Sequence, residues 1–461
     1  MRRRRSLLGV EYAGGLKEES TAFAGVGLLV ELYRQAGVDT MADRALPRKK
    51  SPKGLSPGQM VESLVLLSAL GGECLEDMER LRQDQGLAAL LEYTPPAPET
   101  ARQWLDRFHE EKLMEGRPQQ GAFIPPESAG LAGLGAVNHR VIRAYVQAVQ
   151  PPGEVTLDVD AHLVETTKAE AQYCYEGYKA YQPLLVTWGE TGVVLAEEFR
   201  EGNVPASKDI RRLVDQAYGA LPPGEWRVGV RSDSAAYEPE GTLDHWQELG
   251  WAFAVSADMS PQLRAAILAL PEESWHGWKE EGRGRVREWA EVPYVPSRKV
   301  EKKDAPVYRY VAVRVRPAQG GLWEDSTEVR HFAVVTNRWE MEGQELLKWQ
   351  RGKAGTVEHT HHILTNELAA GVYPSAKHGA NAAWLRLQVL THNLLQLLKE
   401  VALPPEYGAA RPKRLRFAVF THIGQVVHHG RRLLLRLRDG IFETLVKLGW
   451  KGVLAVSWDT S

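Results

Sequence analysis

Between residue 20 and about residue 150, apolar residues recur every three or four positions, as in segments 23–33 and 58–70. That spacing lines one face of a helix and predicts a helical N-terminal domain over residues 1–150. Thr94-Pro95-Pro96-Ala97-Pro98 interrupts the pattern and predicts a helix over residues 99–108, with proline suitably placed at its start. After Pro151-Pro152-Gly153 the rhythm changes. Segments 155–159, 183–188, 193–199 and 226–230 read as strands, with a helix over 209–218 before the last of them. A helix over 243–249 and a strand over 251–255 continue the series. Alternating, charged segments such as 308–315 and 331–335 predict an inserted antiparallel sheet within residues 258–337. From Glu342 the helical period returns, and Trp384, Leu387, Leu390, Leu394, Leu397 and Leu398 mark a long helix over 380–400. Residues 415–437 alternate as a hairpin around Ile423-Gly424.

The bulk properties narrow the setting. A chain of 461 residues is long enough for about three domains. A net charge of -2 and a pI near 6.7 give no overall attraction to nucleic acid, so DNA binding would rest on local basic surfaces. Residues 2–5 are all arginine, and Arg411, Lys413, Arg414, Arg416, Arg431, Arg432, Arg436 and Arg438 crowd the C-terminal extension. Helix 99–108 resembles the second helix of a helix-turn-helix: Thr100, Arg102 and Gln103 would face a groove, while Trp104, Leu105 and Phe108 mark the buried face. Cys74 and Cys174 have no spacing that suggests a disulfide framework or a zinc site, which fits a reducing cytoplasm. The apolar run 7–10 is too short for a signal peptide or a membrane span. A cytoplasmic protein at the nucleoid, without membrane contact, is expected.

The candidate chemistry lies in carboxylates far apart in the chain. Asp158 and Asp160 end one apolar run, Asp233 ends another, and Glu358 sits in a helical stretch. Two magnesium or manganese ions held by such acids can activate an attacking oxygen and stabilise the leaving one in phosphodiester chemistry. Asp158 and Asp160 point to the same face of their strand. Asp158 is favoured as the first ligand because the apolar run would hold it rigidly, with Asp160 as support or alternate. Glu345, Glu367 and Glu400 read as solvated. His359, His361 and His362 lack the i, i+4 pairing of helical zinc sites and read as surface or phosphate-contacting residues. Arg200 and Asn203 read equally as backbone contacts to DNA or as a turn, and Trp323 and Trp339 as packing or loop anchors more than as wedges for a flipped base.

Strand, strand, strand, helix, strand, with acids ending the first and fourth strands, is the order of a ribonuclease H-like α/β core. Ordered blocks make the likeness specific: Thr156-Leu157-Asp158-Val159-Asp160, Gly177-Tyr178-Lys179-Ala180-Tyr181-Gln182-Pro183-Leu184-Leu185, Phe199-Arg200-Glu201-Gly202-Asn203, Arg231-Ser232-Asp233-Ser234-Ala235-Ala236-Tyr237, Val335-Thr336-Asn337, residues 349–358, Gly379-Ala380-Asn381-Ala382-Ala383-Trp384, and Asn393-Leu394. Over residues 55–440 the chain resembles the DDE transposases of bacterial insertion sequences. The resemblance implies a core in two parts, 151–257 and 338–400, split by a β-rich insertion over 258–337 and followed by a basic extension over 401–461. It also implies cut-and-paste movement with Asp158, Asp233 and Glu358 as catalytic triad, two Mg2+ or Mn2+ ions, terminal inverted repeats and target DNA as partners, and a homodimer on DNA.

The family's helix signature sets Tyr and Arg before the Glu and Lys seven residues after it. Here Trp349 stands nearest the Tyr position, Lys353 lies near the Arg position with Arg351 as its possible substitute, and Thr365 occupies the Lys position. A DNA-binding derivative without chemistry, or a structure-selective nuclease on the same core, is the alternative reading. Arg102, Gln103, Arg351, Lys353, Arg414 and Arg416 are the expected DNA contacts.

Overall fold

The computed structural model describes residues 20–47, 54–278, 285–296, 307–317, 329–430, 432–441, 443 and 447–458. The arginines at 2–5, Arg431 and Trp323 lie outside the described residues.

Among the described residues, a nine-stranded mixed sheet organises the chain. Its first five strands are β1 (Glu154–Ala161), β2 (Leu184–Trp188), β3 (Val193–Glu198), β4 (Arg227–Ser232) and β5 (Ala252–Ser256). They lie in the order β3-β2-β1-β4-β5, with β1, β4 and β5 parallel and β2 and β3 antiparallel. Hydrophobic cover on both faces accounts for the near-continuous burial of β2 and β4, as expected of central strands. The remaining strands, β6 (His276–Trp278), β7 (Arg285–Val292), β8 (Arg309–Pro317) and β9 (Arg330–Thr336), come from the segment expected as an insertion. They are antiparallel throughout. Because β9 pairs with β5, with Thr336 opposite Ala254, their ladder is continuous with the first five strands.

Helices that pack around the sheet and its flanks include α1 (Gly27–Gln35), α2 (Pro57–Ala69), α3 (Ala129–Val149), α4 (Ile210–Ala220), α5 (Gly343–Arg351), α6 (Val357–Glu367) and α7 (His378–Ala402). A capping box starts α2, Ser56 and Gln59 bonding each other's backbone, and nearly every residue of the helix is buried. Helix α7 packs on α1, α2, α3 and β3. One of its asparagines joins three elements: Asn393 accepts from the Val194 N–H at 2.8 Å and donates to Asn138 on α3 at 2.8 Å. Such an amide is satisfied only if helix and strand keep this spacing, so it specifies how they dock. Buried side chains from Phe23 to Val453 form one continuous cluster. No helix among the described residues is long and apolar enough to cross a membrane.

Residues 415–437 differ from the alternation expected of them. Leu415, Val419 and Phe420 are buried while Phe417 is exposed, a helical spacing, and residues 412–420 are helical. The hairpin comes later, Gly424–His429 with Arg432–Arg436, and it turns at Gly430, whose φ of +62° suits glycine. Ser20–Thr21 adds a third strand to it.

Candidate functional site

One face of β1 carries Thr156, Asp158 and Asp160, and the other carries Val155, Leu157 and Val159, all three buried. Each polar residue meets a different partner. Thr156 bonds Glu190 through its N–H at 2.8 Å and through its hydroxyl. Asp158 is fully buried, and Arg231 grips it with two prongs, Nε to Oδ1 at 2.5 Å and Nη2 to Oδ2 at 2.7 Å. The Thr356 hydroxyl donates to the same Oδ2. Asp160, farther along, accepts from the Lys353 ammonium at 3.1 Å.

The parallel register explains this sequence of pairs. Asp158 lies beside Arg231 and Val159 beside Ser232, so one further step brings Asp160 to the same strand ends as Asp233. Asp233 closes β4 and caps the turn after it, its Oδ1 accepting from the Ala235 N–H at 3.0 Å. Glu358 occupies the first turn of α6 and is half exposed, and its Oε1 lies 3.2 Å from the Lys353 ammonium. Lys353, on the short turn between α5 and α6, thus sits between Asp160 and Glu358. Burial pushes the Asp160 carboxyl up, Lys353 pulls it down, and repulsion from Asp233 and Glu358 adds to the rise, leaving it at about 6. Burial alone would lower the Lys353 pKa, but the attraction of Asp160, Asp233 and Glu358 outweighs it and the net shift is upward.

Arg231 is the central tie behind these acids. Its third contact, Nη1 to the Trp349 carbonyl at 2.6 Å, fastens α5 to β4, and its guanidinium lies over the Trp349 ring with Arg338 also near that ring. Two glycines make room. A Cβ at Gly352 would stand 2.3 Å from Arg231 Nη1, and one at Gly189 would stand 2.8 Å from both Asp158 Oδ2 and Arg231 Nη2. Burial raises the Asp158 pKa while Arg231 and Thr356 pull it down, with a net shift upward. His361 fixes α6 to β1. Its Nε2 lies 3.1 Å from the Asp160 carbonyl oxygen, which can only accept, so that nitrogen carries the proton. Burial holds the His361 pKa at about 3, so the ring is neutral.

The other sequence candidates fall in two groups. Arg102 donates to the Pro374 carbonyl at 3.0 Å and pairs with Glu76, and Arg416 donates to the carbonyls of Ala69, at 3.0 Å, and Glu367. Both join distant segments of the chain. Gln103 and Arg414 are exposed, the first bonded to Glu99 at 3.0 Å and the second 6.0 Å from the Tyr407 ring. Arg351 lies 4.5 Å from the Trp278 ring. Arg200 is buried against Glu198, Asn203 donates to the Gly121 carbonyl, and Trp339 is exposed. Glu367, read from the sequence as solvated, is buried instead: Arg411 pairs with it and the Lys413 N–H bonds it at 2.9 Å. A groove of about 840 Å³ opens beside Asp233, with Arg211, Arg212, Tyr237 and Asp258 in its walls.

Sequence reasoning missed Arg231 as the partner of Asp158. A signal existed: an arginine within the apolar run Val228-Gly229-Val230 needs a buried anion, and the Arg231-to-Asp233 spacing repeats the Asp158-to-Asp160 spacing.

Residues 13–445 match the family of transposase DDE domains, group 1, and the chain belongs to that family. Among solved structures it is similar to a piggyBac transposase, seen by cryo-EM in a synaptic complex with hairpin DNA. That likeness has 9% identity and a TM-score of 0.41, and it covers 86% of this chain and 77% of the other. No curated protein matches the chain.

Proposed function

We propose that this chain is the transposase of a bacterial insertion sequence, cutting DNA at the element's ends and joining them to a target, with Asp160, Asp233 and Glu358 as its acidic triad. The observation that carries this reading is the convergence of Asp160 and Glu358 on one cation, the Lys353 ammonium, beside the strand end that bears Asp233. Asp158 is proposed as a buried support in place of the ligand role expected from the sequence, because both its oxygens are taken by Arg231 and Thr356. The order β3-β2-β1-β4-β5, with acids ending β1 and β4, supports the ribonuclease H-like reading of the core.

Divalent ions fit this donor set chemically. Carboxylate oxygens are the hard ligands that magnesium and manganese take, and two of them already approach a single positive charge. Asp233 adds its own charge, although among the described residues no three acids, histidines or cysteines are close enough to hold one ion. When bound, such ions supply activation of the attacking oxygen and stabilisation of the leaving one. The chain's own part is positional. Arg231 holds β1, β4 and α5 together through Asp158 and Trp349, and His361 keeps the Glu358 helix on Asp160. The groove with Arg211 and Arg212 leaves room for a strand of DNA at Asp233. Exposed Gln103, Lys413 and Arg414 are proposed as outer DNA contacts, and a homodimer bridging two element ends as the working assembly.

Incubated with Mg2+ or Mn2+ and DNA carrying the sequences that flank its gene, purified protein should nick or cut at the element ends, and Glu358→Gln should not. Normal cleavage by that variant removes the assignment.

A further inference from the structure

We propose that Lys353 is the resident cation of the carboxylate cluster: its ammonium holds Asp160 and Glu358 together until a divalent ion displaces it, and it thereby sets the metal affinity of the site. The inference rests on the reading of Asp160 and Glu358 as metal ligands.

Three observations support it. The ammonium lies 3.1 Å from Asp160 Oδ1 and 3.2 Å from Glu358 Oε1, so it takes up the space between the two acids. Its side chain is only 12% exposed and that of Asp160 only 15%, so water screens the inner pair weakly, while Glu358 forms the more solvated outer pair. Lys353 and Glu358 also belong to one short stretch of backbone, whereas Asp160 comes from β1, so the lysine closes a gap between separate elements.

An ammonium and a divalent ion repel strongly at such distances and cannot share the position. Binding an ion therefore requires both lysine pairs to break first. Lysine is suited to this because it is a point charge on a flexible stem that can withdraw. Arg231, two residues before Asp233, could not do the same, being held at Asp158 by two prongs and at the Trp349 carbonyl by a third. If the withdrawn state is populated about one part in ten, the apparent metal affinity falls about tenfold below that of the bare carboxylates.

The test is a calorimetric Mn2+ titration of the full chain without DNA, with a thermal melt of each variant. Lys353→Met should bind Mn2+ about tenfold more tightly than wild type. Lys353→Arg, which keeps the charge, should bind no more tightly than wild type, and Lys348→Met, which removes an exposed charge outside the cluster, should stay within about twofold of it. Metal-free Lys353→Met should also melt lower than wild type and gain more from Mn2+, since its two facing acids lose their shared counterion. Should Lys353→Met fail to fold, Lys353→Gln puts the same question with a polar side chain of similar reach. Equal or weaker Mn2+ binding by the uncharged variant, with binding still lost in Asp160→Asn, overturns the lysine proposal and leaves the metal reading standing. Wild-type Mn2+ binding by both Asp160→Asn and Glu358→Gln overturns the metal reading itself.

Discussion

Asp158 and Asp160 share a strand, a face and a side chain, yet they sit in opposite surroundings. At Asp158 the strand is deep in the sheet, and a bidentate arginine and a threonine hydroxyl use both carboxylate oxygens. One step of the pleat farther on, Asp160 reaches the strand end and has a mobile type of partner, a lysine shared with Glu358. The difference teaches that in a parallel sheet the chemistry gathers where strands stop, while the same residue type inside the sheet becomes structural. An acid locked to arginine has its charge compensated and both oxygens engaged. An acid sharing an ammonium is already placed beside a positive charge.

The two aspartates should fail in different ways when replaced. Asp160→Asn should lower metal-dependent cleavage by more than roughly a thousandfold, about 4 kcal/mol in the barrier. Comparable cleavage by this variant and wild type would reverse the roles given to the two aspartates.

The buried end should answer in stability. Arg231→Met strips Asp158 of its counterion inside the sheet, a change that costs on the order of 3–5 kcal/mol in denaturant unfolding. A loss below about 1 kcal/mol, the range of exposed pairs, would mean that the pair is not closed off from water.

The smallest effect sharpens the outer end through pH. The Asp160 carboxyl is held up at about 6, above its unfolded value of about 3.9. A raised carboxyl favours the fold while protonated, so its contribution is complete below about pH 4 and lost as pH rises through 6. Metal-free wild type should therefore lose on the order of 2–3 kcal/mol across that window relative to Asp160→Asn. Parallel stability curves for the two proteins between pH 4 and 6.5 would contradict the placement of Asp160 among like charges.

Much of the architecture was legible in periodicity. Strands 155–159, 183–188, 193–199 and 226–230 and the long helix 380–400 appear within a few residues of their expected places, because burial on a strand or helix face leaves its period in the chain. Residues 415–437 misled because a helical turn and a hairpin in series leave apolar residues that can be read as one alternation. Glu367 looked solvated because nothing near it in sequence shows that Arg411 and Lys413 fold back onto it. The intramolecular contacts of Arg102 and Arg416, expected DNA contacts, were equally hidden, because the Pro374 and Ala69 carbonyls they bond lie hundreds of positions away.

By itself the sequence determined the alternation that puts Asp158 and Asp160 on one face, the apolar runs that deliver acids at strand ends, and the ordered blocks of the transposase family. Only the tertiary structure decided which acid is sealed and which is open. Side-chain period assigns a face but not a depth along the strand. Depth is set by the register of β1 against β4, which pairs Asp158 with Arg231 and carries Asp160 out to Asp233, and by α5 and α6 closing over Asp158 through Trp349 and Thr356.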